Sequence, residues 1–391
     1  MKKLNKKVCV STGSRGDYDL LKPIIKKLYL SKKFKVNTVI TGSHLMPNYN
    51  NISLFKKDKI FINKRIKIKY SDDSNSSILK YISEGIKKFD KLFTNENYNF
   101  LLVLGDRYEI YSAVISAYFN KIPIAHLSGG EVTEGAYDEA IRHSITKFSS
   151  FHFVANKLYK KRVEQLGENT KYIYNVGSTG VENLNNFSLM EKAKIEKKLN
   201  FSFKHKNYLI TFHPVTFEKD YGIKDFKIIL DYFSGKKNLG IIFTLPNTDT
   251  NNYKIISLIK KFVKKNKNSA YFKFLGREDY FSTIKYINAV IGNSSSGISE
   301  VPSLKKPTIN IGLRQKGRIQ SKSVISIEKL NRIKFNKAIK KVESKKFIKL
   351  IKKTKNPYYK KNTTKNIIKI LEKLNFNDLY IKRFVDLKDR K

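Results

Sequence analysis

Ionisable residues crowd into three short stretches in the first half of the chain. They read Val-Leu-Gly-Asp-Arg-Tyr-Glu at 103–109, His-Leu-Ser-Gly-Gly-Glu at 126–131 and Tyr-Asp-Glu-Ala-Ile-Arg-His at 137–143. The first two follow apolar runs that read as buried strands, at 100–104 and 122–125. Acids, His and Arg gathered at strand ends are costly to desolvate unless chemistry uses them. Asp106, Glu131 and Asp138, beside Arg107, His126 and His143, have the make-up of an acid/base site next to an anion clamp. In an open α/β sheet the carboxyl ends of the strands are where ligands bind.

Other turns carry weaker signals of the same kind. Ser11-Thr12-Gly13-Ser14-Arg15-Gly16-Asp17 follows the first apolar run. Its glycines allow a tight turn with close backbone approach, and Arg15 favours a phosphate contact over an ordinary strand–helix turn. It is not the G-x-G-x-x-G dinucleotide fingerprint. Gly292-Asn293-Ser294-Ser295-Ser296-Gly297 ends a later strand and opens a helix. Its backbone N–H groups and hydroxyls suit a diphosphate, although a plain Ser cap would look the same. Glu300 could accept two ribose hydroxyls or simply be a first-turn acid. His213, after Tyr-Leu-Ile-Thr-Phe, and His44, in Thr-Gly-Ser-His, both end strands. A lone His there is more often packed than functional. The basic loop Leu-Arg-Gln-Lys-Gly-Arg at 313–318 holds Arg314 and could equally be a solvated turn.

The elements that must position these groups alternate. Strand-like runs at 8–10, 36–40, 100–104, 122–125, 151–155 and 172–176 are interleaved with helical patterns. A second series lies at 208–212, 241–245, 271–274, 289–291 and 308–311. Leu20, Leu21, Ile24, Ile25 and Leu28 recur at helical spacing, with Pro23 expected in the opening turn. Residues 184–202 read as a polar connector with some helical character, and helices are expected around 338–351 and 367–374. Strand–helix alternation argues for parallel βαβ units, and two such halves imply a cleft between them. The expected domains are 1–180, 181–360 and a closing helical segment at 361–391.

Composition narrows the classes. A chain of 391 residues with 40% hydrophobic content, 26 Phe and 23 Tyr can fill two cores. No apolar run approaches a membrane span, and the start is too short in apolar residues for a signal peptide, so no membrane partner and a cytoplasmic location are expected. One cysteine, no H-E-x-x-H and no G-x-S-x-G argue against a disulfide, a metal centre and a Ser-His-Asp hydrolase. A net charge of +46 invites a nucleic-acid reading. The lysines, however, are spread along the chain among Asn and Ile, as a proteome-wide bias would place them, so no nucleic-acid partner is expected.

Taken together, these stretches resemble the hydrolysing UDP-N-acetylglucosamine 2-epimerases of bacterial sialic-acid synthesis. The resemblance runs from Gly13-Ser14-Arg15 to about Asn356-Pro357-Tyr358, and its most specific pieces lie at 103–110, 126–131, 137–147, 162–168, 291–297, 300–304 and 308–318. It implies a GT-B-like α/β fold: two Rossmann-like domains whose parallel sheets face an interdomain cleft, with a last helix returning to the N-terminal domain. It further implies catalytic roles for Asp106, Glu131, Asp138 and His213. Arg15, His44, Arg107, Asn247, Ser294, Ser295, Ser296, Glu300 and Arg314 would bind substrate, with no cofactor and no metal. A nucleotide sugar would be the small-molecule partner, and a homo-oligomer is expected. Ser128 departs from relatives that carry a carboxylate or His there, which leaves open which acid is the base. Non-hydrolysing epimerases carry a different first turn and lack the Gly-Gly-Glu.

The implied reaction converts UDP-N-acetylglucosamine to N-acetylmannosamine and UDP by elimination and rehydration. UDP-2,4-diacetamido-2,4,6-trideoxyhexose is the second substrate reading. A GT-B glycosyltransferase, which would need an acceptor, and a polyanion-binding protein are the rivals from other classes.

Overall fold

Strands buried on both faces read as unbroken apolar runs, and Phe100–Leu104 is a case in which all five residues are buried. The computed structural model describes residues 5–47, 51–72, 74–134, 136–184, 187–215, 218–246, 252–377 and 379–386. Asn247 lies outside them. The described residues form two α/β units. One holds 1–131, 138–182 and 360–391, and the other holds 132–137 and 183–359. The first unit is thus interrupted by 132–137, a detail absent from the expected 1–180 boundary.

In the first unit the strands are β1 (Lys6–Thr12), β2 (Phe34–Ile40), β3 (Lys64–Arg65), β4 (Phe100–Leu104), β5 (Ile124–Leu127), β6 (Phe151–Val154) and β7 (Ile173–Asn175). They form one parallel sheet in the order β3-β2-β1-β4-β5-β6-β7. Helices α1 (Arg15–Leu30), α2 (Ile52–Lys57), α3 (Asn75–Thr94), α4 (Tyr108–Phe119), α5 (Asp138–Phe148) and α6 (Lys157–Gln165) lie between them, and α7 (Thr179–Leu184) leads out of the unit after β7. One face of the sheet packs Leu21, Ile24, Ile25 and Leu28 of α1. The other packs Phe89 and Phe93 of α3 with Ile110, Ala113 and Val114 of α4.

The second unit holds α8 (Lys192–Leu199), β8 (Lys206–Thr211), α9 (Ile223–Phe233), β9 (Leu239–Thr244), α10 (Asn252–Lys265), β10 (Ser269–Phe272) and α11 (Arg277–Lys285). It continues through β11 (Ala289–Gly292), α12 (Ser295–Ser299), β12 (Thr308–Ile311), β13 (Val324–Ile327), α13 (Arg332–Glu343) and α14 (Lys345–Lys353). Its sheet is also parallel, ordered β10-β9-β8-β11-β12-β13. The chain then closes the first unit with α15 (Thr363–Lys373), whose Ile367, Ile368 and Leu371 join the cluster that includes α1. Burying each such side chain is worth about 1.5–3 kcal/mol. No described helix is long and apolar enough to cross a membrane.

Several expectations need correction. Ser14 caps α1, with its Oγ accepting from the Asp17 N–H, so the helix starts at Arg15 and Pro23 lies in its interior rather than its opening turn. β5 begins two residues later than expected and includes His126. The supposed polar connector contributes Leu184, Met190, Ile195, Leu199 and Phe201 to a buried cluster of the second unit. β3 and β13 were not foreseen.

In each sheet the strand order reverses once, between β1 and β4 and between β8 and β11. Ligands of open α/β sheets bind outside the carboxyl ends at such switch points. These four strand ends carry most of the candidate residues.

Candidate active site

The first unit's switch point is built around a buried carboxylate. Glu109, in the first turn of α4, is 2% exposed, and its Oε1 accepts from Arg107 Nε at 2.9 Å. A Cβ at Gly13 would lie 2.2 Å from that oxygen, and one at Gly42 (φ +58°) would lie 2.5 Å from it. The bare backbone of the first turn therefore receives the protein's own carboxylate, where the sequence suggested a phosphate. Asp17 completes the cluster, with its Oδ2 shut off from solvent. Loss of water pushes its pKa up to about 6, against the pull of Arg107 and with a further push from Glu109.

His44 is fully buried beneath this turn. Its Nε2 lies 3.2 Å from Thr12 Oγ1, and its ring packs edge-on to Tyr18 and Phe55. Burial first, and Arg107 second, lower its pKa to about 3. The buried ring supports the turn from below.

The segments that carry Asp106 and Glu131 are joined by a residue that the sequence did not single out. Arg142, 3% exposed, forms an ion pair with Asp106 and donates from Nη1 to the Glu131 carbonyl at 3.1 Å. It lies four residues after Asp138 on α5, so the two share a helix face. One guanidinium thus ties the tip of β4 to the turn after β5. That turn needs Gly130 (φ +75°), where a Cβ would meet the Tyr159 carbonyl at 2.4 Å.

His126 is not part of an acid/base pair with these carboxylates. It sits inside β5 at 0% exposure. Its Nε2 is 2.9 Å from the Gly105 carbonyl, which only accepts, so Nε2 carries the proton. Its Nδ1 lies 3.3 Å from the Thr146 hydroxyl, which donates to the Arg142 carbonyl at 3.0 Å. Burial lowers its pKa to about 3, and the ring braces the residue before Asp106. His143 turns to Glu139 at 3.0 Å.

The second unit's switch point brings together His213, Ser294–Ser296 and Arg314. His213 follows β8 and is 5% exposed. Its backbone N–H and C=O both bond the side chain of Asn293, at 2.7 and 2.8 Å. The Asn293 carbonyl accepts from Gln315 Nε2 at 2.9 Å and from Arg314 Nη1 at 3.4 Å. Ser294 precedes α12, which is only five residues long, so the helix dipole adds little there. The Ser296 hydroxyl is buried, next to the Tyr280 hydroxyl. Glu300 is not a first-turn acid: it ends α12, with its carboxylate held by Ser299 Oγ at 2.9 Å and Arg277 Nη2 at 3.4 Å. The loop at 313–318 is not merely solvated, since Gln315 is fully buried and Arg318 Nε donates to the Val132 carbonyl at 2.8 Å.

A family model described as UDP-N-acetylglucosamine 2-epimerase matches residues 26–372. The chain belongs to the UDP-N-acetylglucosamine 2-epimerase family. Among the relatives of this epimerase-family chain is the GDP/UDP-N,N'-diacetylbacillosamine 2-epimerase (hydrolyzing) of Campylobacter jejuni, 37% identical over 98% of this chain and 99% of the relative. Polysialic acid biosynthesis protein P7 of Escherichia coli is also 37% identical, over 94% of each chain. The structure of UDP-GlcNAc 2-epimerase from Neisseria meningitidis bound to UDP-GlcNAc superposes with a TM-score of 0.80 at 16% identity. It covers 94% of this chain and 100% of that one. The two parallel-sheet domains are thus of the GT-B-like kind found in this epimerase family. Arg142, Asn293, Gln315 and Glu109 are the residues that spacing alone missed. Position four after Asp138 was a usable signal for Arg142; Asn293 and Gln315 are defined by distant partners, and Glu109 by Gly13 and Gly42 as well as by nearby Arg107.

Proposed function

We propose that the chain is a hydrolysing nucleotide-sugar 2-epimerase that acts on a UDP-linked 2-acetamido hexose. The observation that carries this reading is the Arg142 tie, which holds Asp106 and the Glu131 backbone together one helical turn from Asp138. Inverting C2 requires removing a proton that no carbonyl acidifies. Breaking the C1–O bond builds positive character at C1, and a carboxylate among Asp106, Glu131 and Asp138 then takes the C2 proton. The C1–O electron pair leaves with UDP and a C1=C2 glycal forms. Water then adds its oxygen to C1, losing a proton to a carboxylate, while a carboxylic acid delivers a proton to the opposite face of C2.

In this reading Arg15, Ser294, Ser295, Ser296 and Arg314 hold the diphosphate, His213 meets the departing oxygen, and Glu300 holds the ribose. Preorganised donors aimed at the leaving group would lower the barrier. Asn247 keeps the nucleotide-contact role that the resemblance implied. The name of the Campylobacter relative, matched over nearly the whole chain, favours a UDP-2,4-diacetamido-2,4,6-trideoxyhexose as substrate. The polysialic acid name of the equally identical Escherichia relative favours UDP-N-acetylglucosamine, giving N-acetylmannosamine.

The test is incubation of the purified chain with each nucleotide sugar, without acceptor, in deuterated water. Free sugar of inverted C2 configuration carrying deuterium at C2, with one UDP released per turnover, is the expected result. Product without deuterium would rule out the elimination route, and no release of free sugar from either substrate would rule out the function.

A further inference from the structure

We infer that Asn293 is a positioning residue for His213, setting the imidazole at the tip of β8 through a two-bond bracket on its backbone. This rests on the reading of His213 as the group that meets the departing oxygen.

Asn293 is fully buried. Its Oδ1 accepts from the His213 N–H at 2.7 Å, and its Nδ2 donates to the His213 carbonyl at 2.8 Å. An N–H only donates and a carbonyl only accepts, so the orientation of the amide is fixed by its partners. The bracketed residue is also confined from the other side. Pro214 follows it, and a residue before proline is restricted to extended backbone. Few degrees of freedom then remain between the sheet and the imidazole.

The reach of this bracket comes from the neighbouring glycine. Gly292 has φ +133°, and a Cβ there would lie 1.8 Å from the Thr211 carbonyl. β8 and β11 therefore approach at their tips more closely than any side chain at 292 would allow. Asn293 N–H donates to the same Thr211 carbonyl at 3.2 Å, which seats its side chain opposite His213. Only an unbranched amide of this length offers one donor and one acceptor across that gap. Asp lacks the donor, Leu lacks both, and Gln is one methylene too long.

The backbone carbonyl of Asn293 is also bonded within the protein. It accepts from Gln315, itself fully buried, and from Arg314. Asn293 is thus a hub joining the tip of β8, the turn of Ser294–Ser296 and the loop after β12. It acts on chemistry through His213.

A double-mutant cycle on the full chain tests this. Asn293→Ala should lower kcat by about tenfold or more, the loss expected when a catalytic group is misplaced by a fraction of an ångström. In a His213→Ala background the same change should alter kcat less than about twofold, since no imidazole remains to be placed. Asn293→Asp, which keeps the acceptor for the His213 N–H, should give an intermediate rate, and it replaces the Ala variant in the cycle if that variant does not fold. An equal loss in both backgrounds would make Asn293 merely structural and overturn the inference alone. Wild-type kcat in His213→Ala would overturn both the inference and the reading of His213 beneath it.

Discussion

Replacing Gly13 by alanine should damage the first unit in a way that a second, distant substitution repairs. The added Cβ would lie 2.2 Å from Glu109 Oε1, 2.4 Å from Cγ and 2.6 Å from Cδ. Ordinary contact begins near 3.4 Å, so the carboxylate must retreat by roughly 1 Å, and its side chain, only 3% exposed, has no open space to enter. Overpacking of this kind costs about 1–3 kcal/mol. Arg107, bonded to Glu109 at 2.9 Å, moves with it, and a displacement near 1 Å beside the reacting groups costs on the order of 100-fold in rate. Glu109→Ala removes the three clashing atoms. Thermal unfolding and turnover should therefore show Gly13→Ala as harmful in the wild-type chain and nearly neutral beside Glu109→Ala, with a coupling of at least about 1 kcal/mol. Gly42→Ala supplies the contrast. Its Cβ would also meet the Gly13 carbonyl at 2.5 Å, with φ at +58°, and trimming Glu109 relieves neither problem. Additive losses for Gly13→Ala and Glu109→Ala would refute the claim that this glycine exists to admit that carboxylate.

Two further outcomes follow from buried charge. Arg142→Met leaves the Asp106 carboxylate without its guanidinium and frees the Glu131 carbonyl; it should cost about 3–5 kcal/mol of stability and about 100-fold or more in kcat. Arg142→Lys should recover little, because a single ammonium does not reproduce the two-ended hold, and near-wild-type turnover in Arg142→Met would remove this residue from the site. His44 and His126, both held near pKa 3 by burial, stay neutral in the folded chain but take up protons near pH 6.5 when unfolded. Their contribution is complete above about pH 6.5 and is lost as pH falls toward 3, each proton steepening the dependence by up to about 1.4 kcal/mol per pH unit. Urea midpoints measured from pH 7 to 4 should fall less steeply for His126→Gln than for the wild-type chain, and parallel slopes would show that this ring is not held neutral.

What the sequence disclosed depended on whether a residue's environment is local. β4 was legible because all five of its side chains are buried and apolar, while β13, with one buried residue in four, offered no such run. α8 hid behind four lysines in eight residues, although its Ile195 and Leu199 reach the core. Asp106, Glu131 and Asp138 were visible as acids in short polar stretches, but nothing in those stretches showed that Arg142 pairs with Asp106 and holds the Glu131 carbonyl. Asn293 acts on a residue 80 positions earlier, a partnership that no spacing rule contains. His126 misled for a related reason: β5 runs two residues further than its apolar stretch, so a polar ring read as the start of a site is the end of a strand. The glycines show the limit most plainly. Gly13 and Gly42 announce that something approaches the bare backbone, and a phosphate and a buried Glu109 make the same demand for space. A sequence can specify the vacancy, but the occupant is chosen by a helix that begins more than 60 residues after the later glycine, which is why the steric test on Gly13 and Glu109 decides what the pattern of small residues could not.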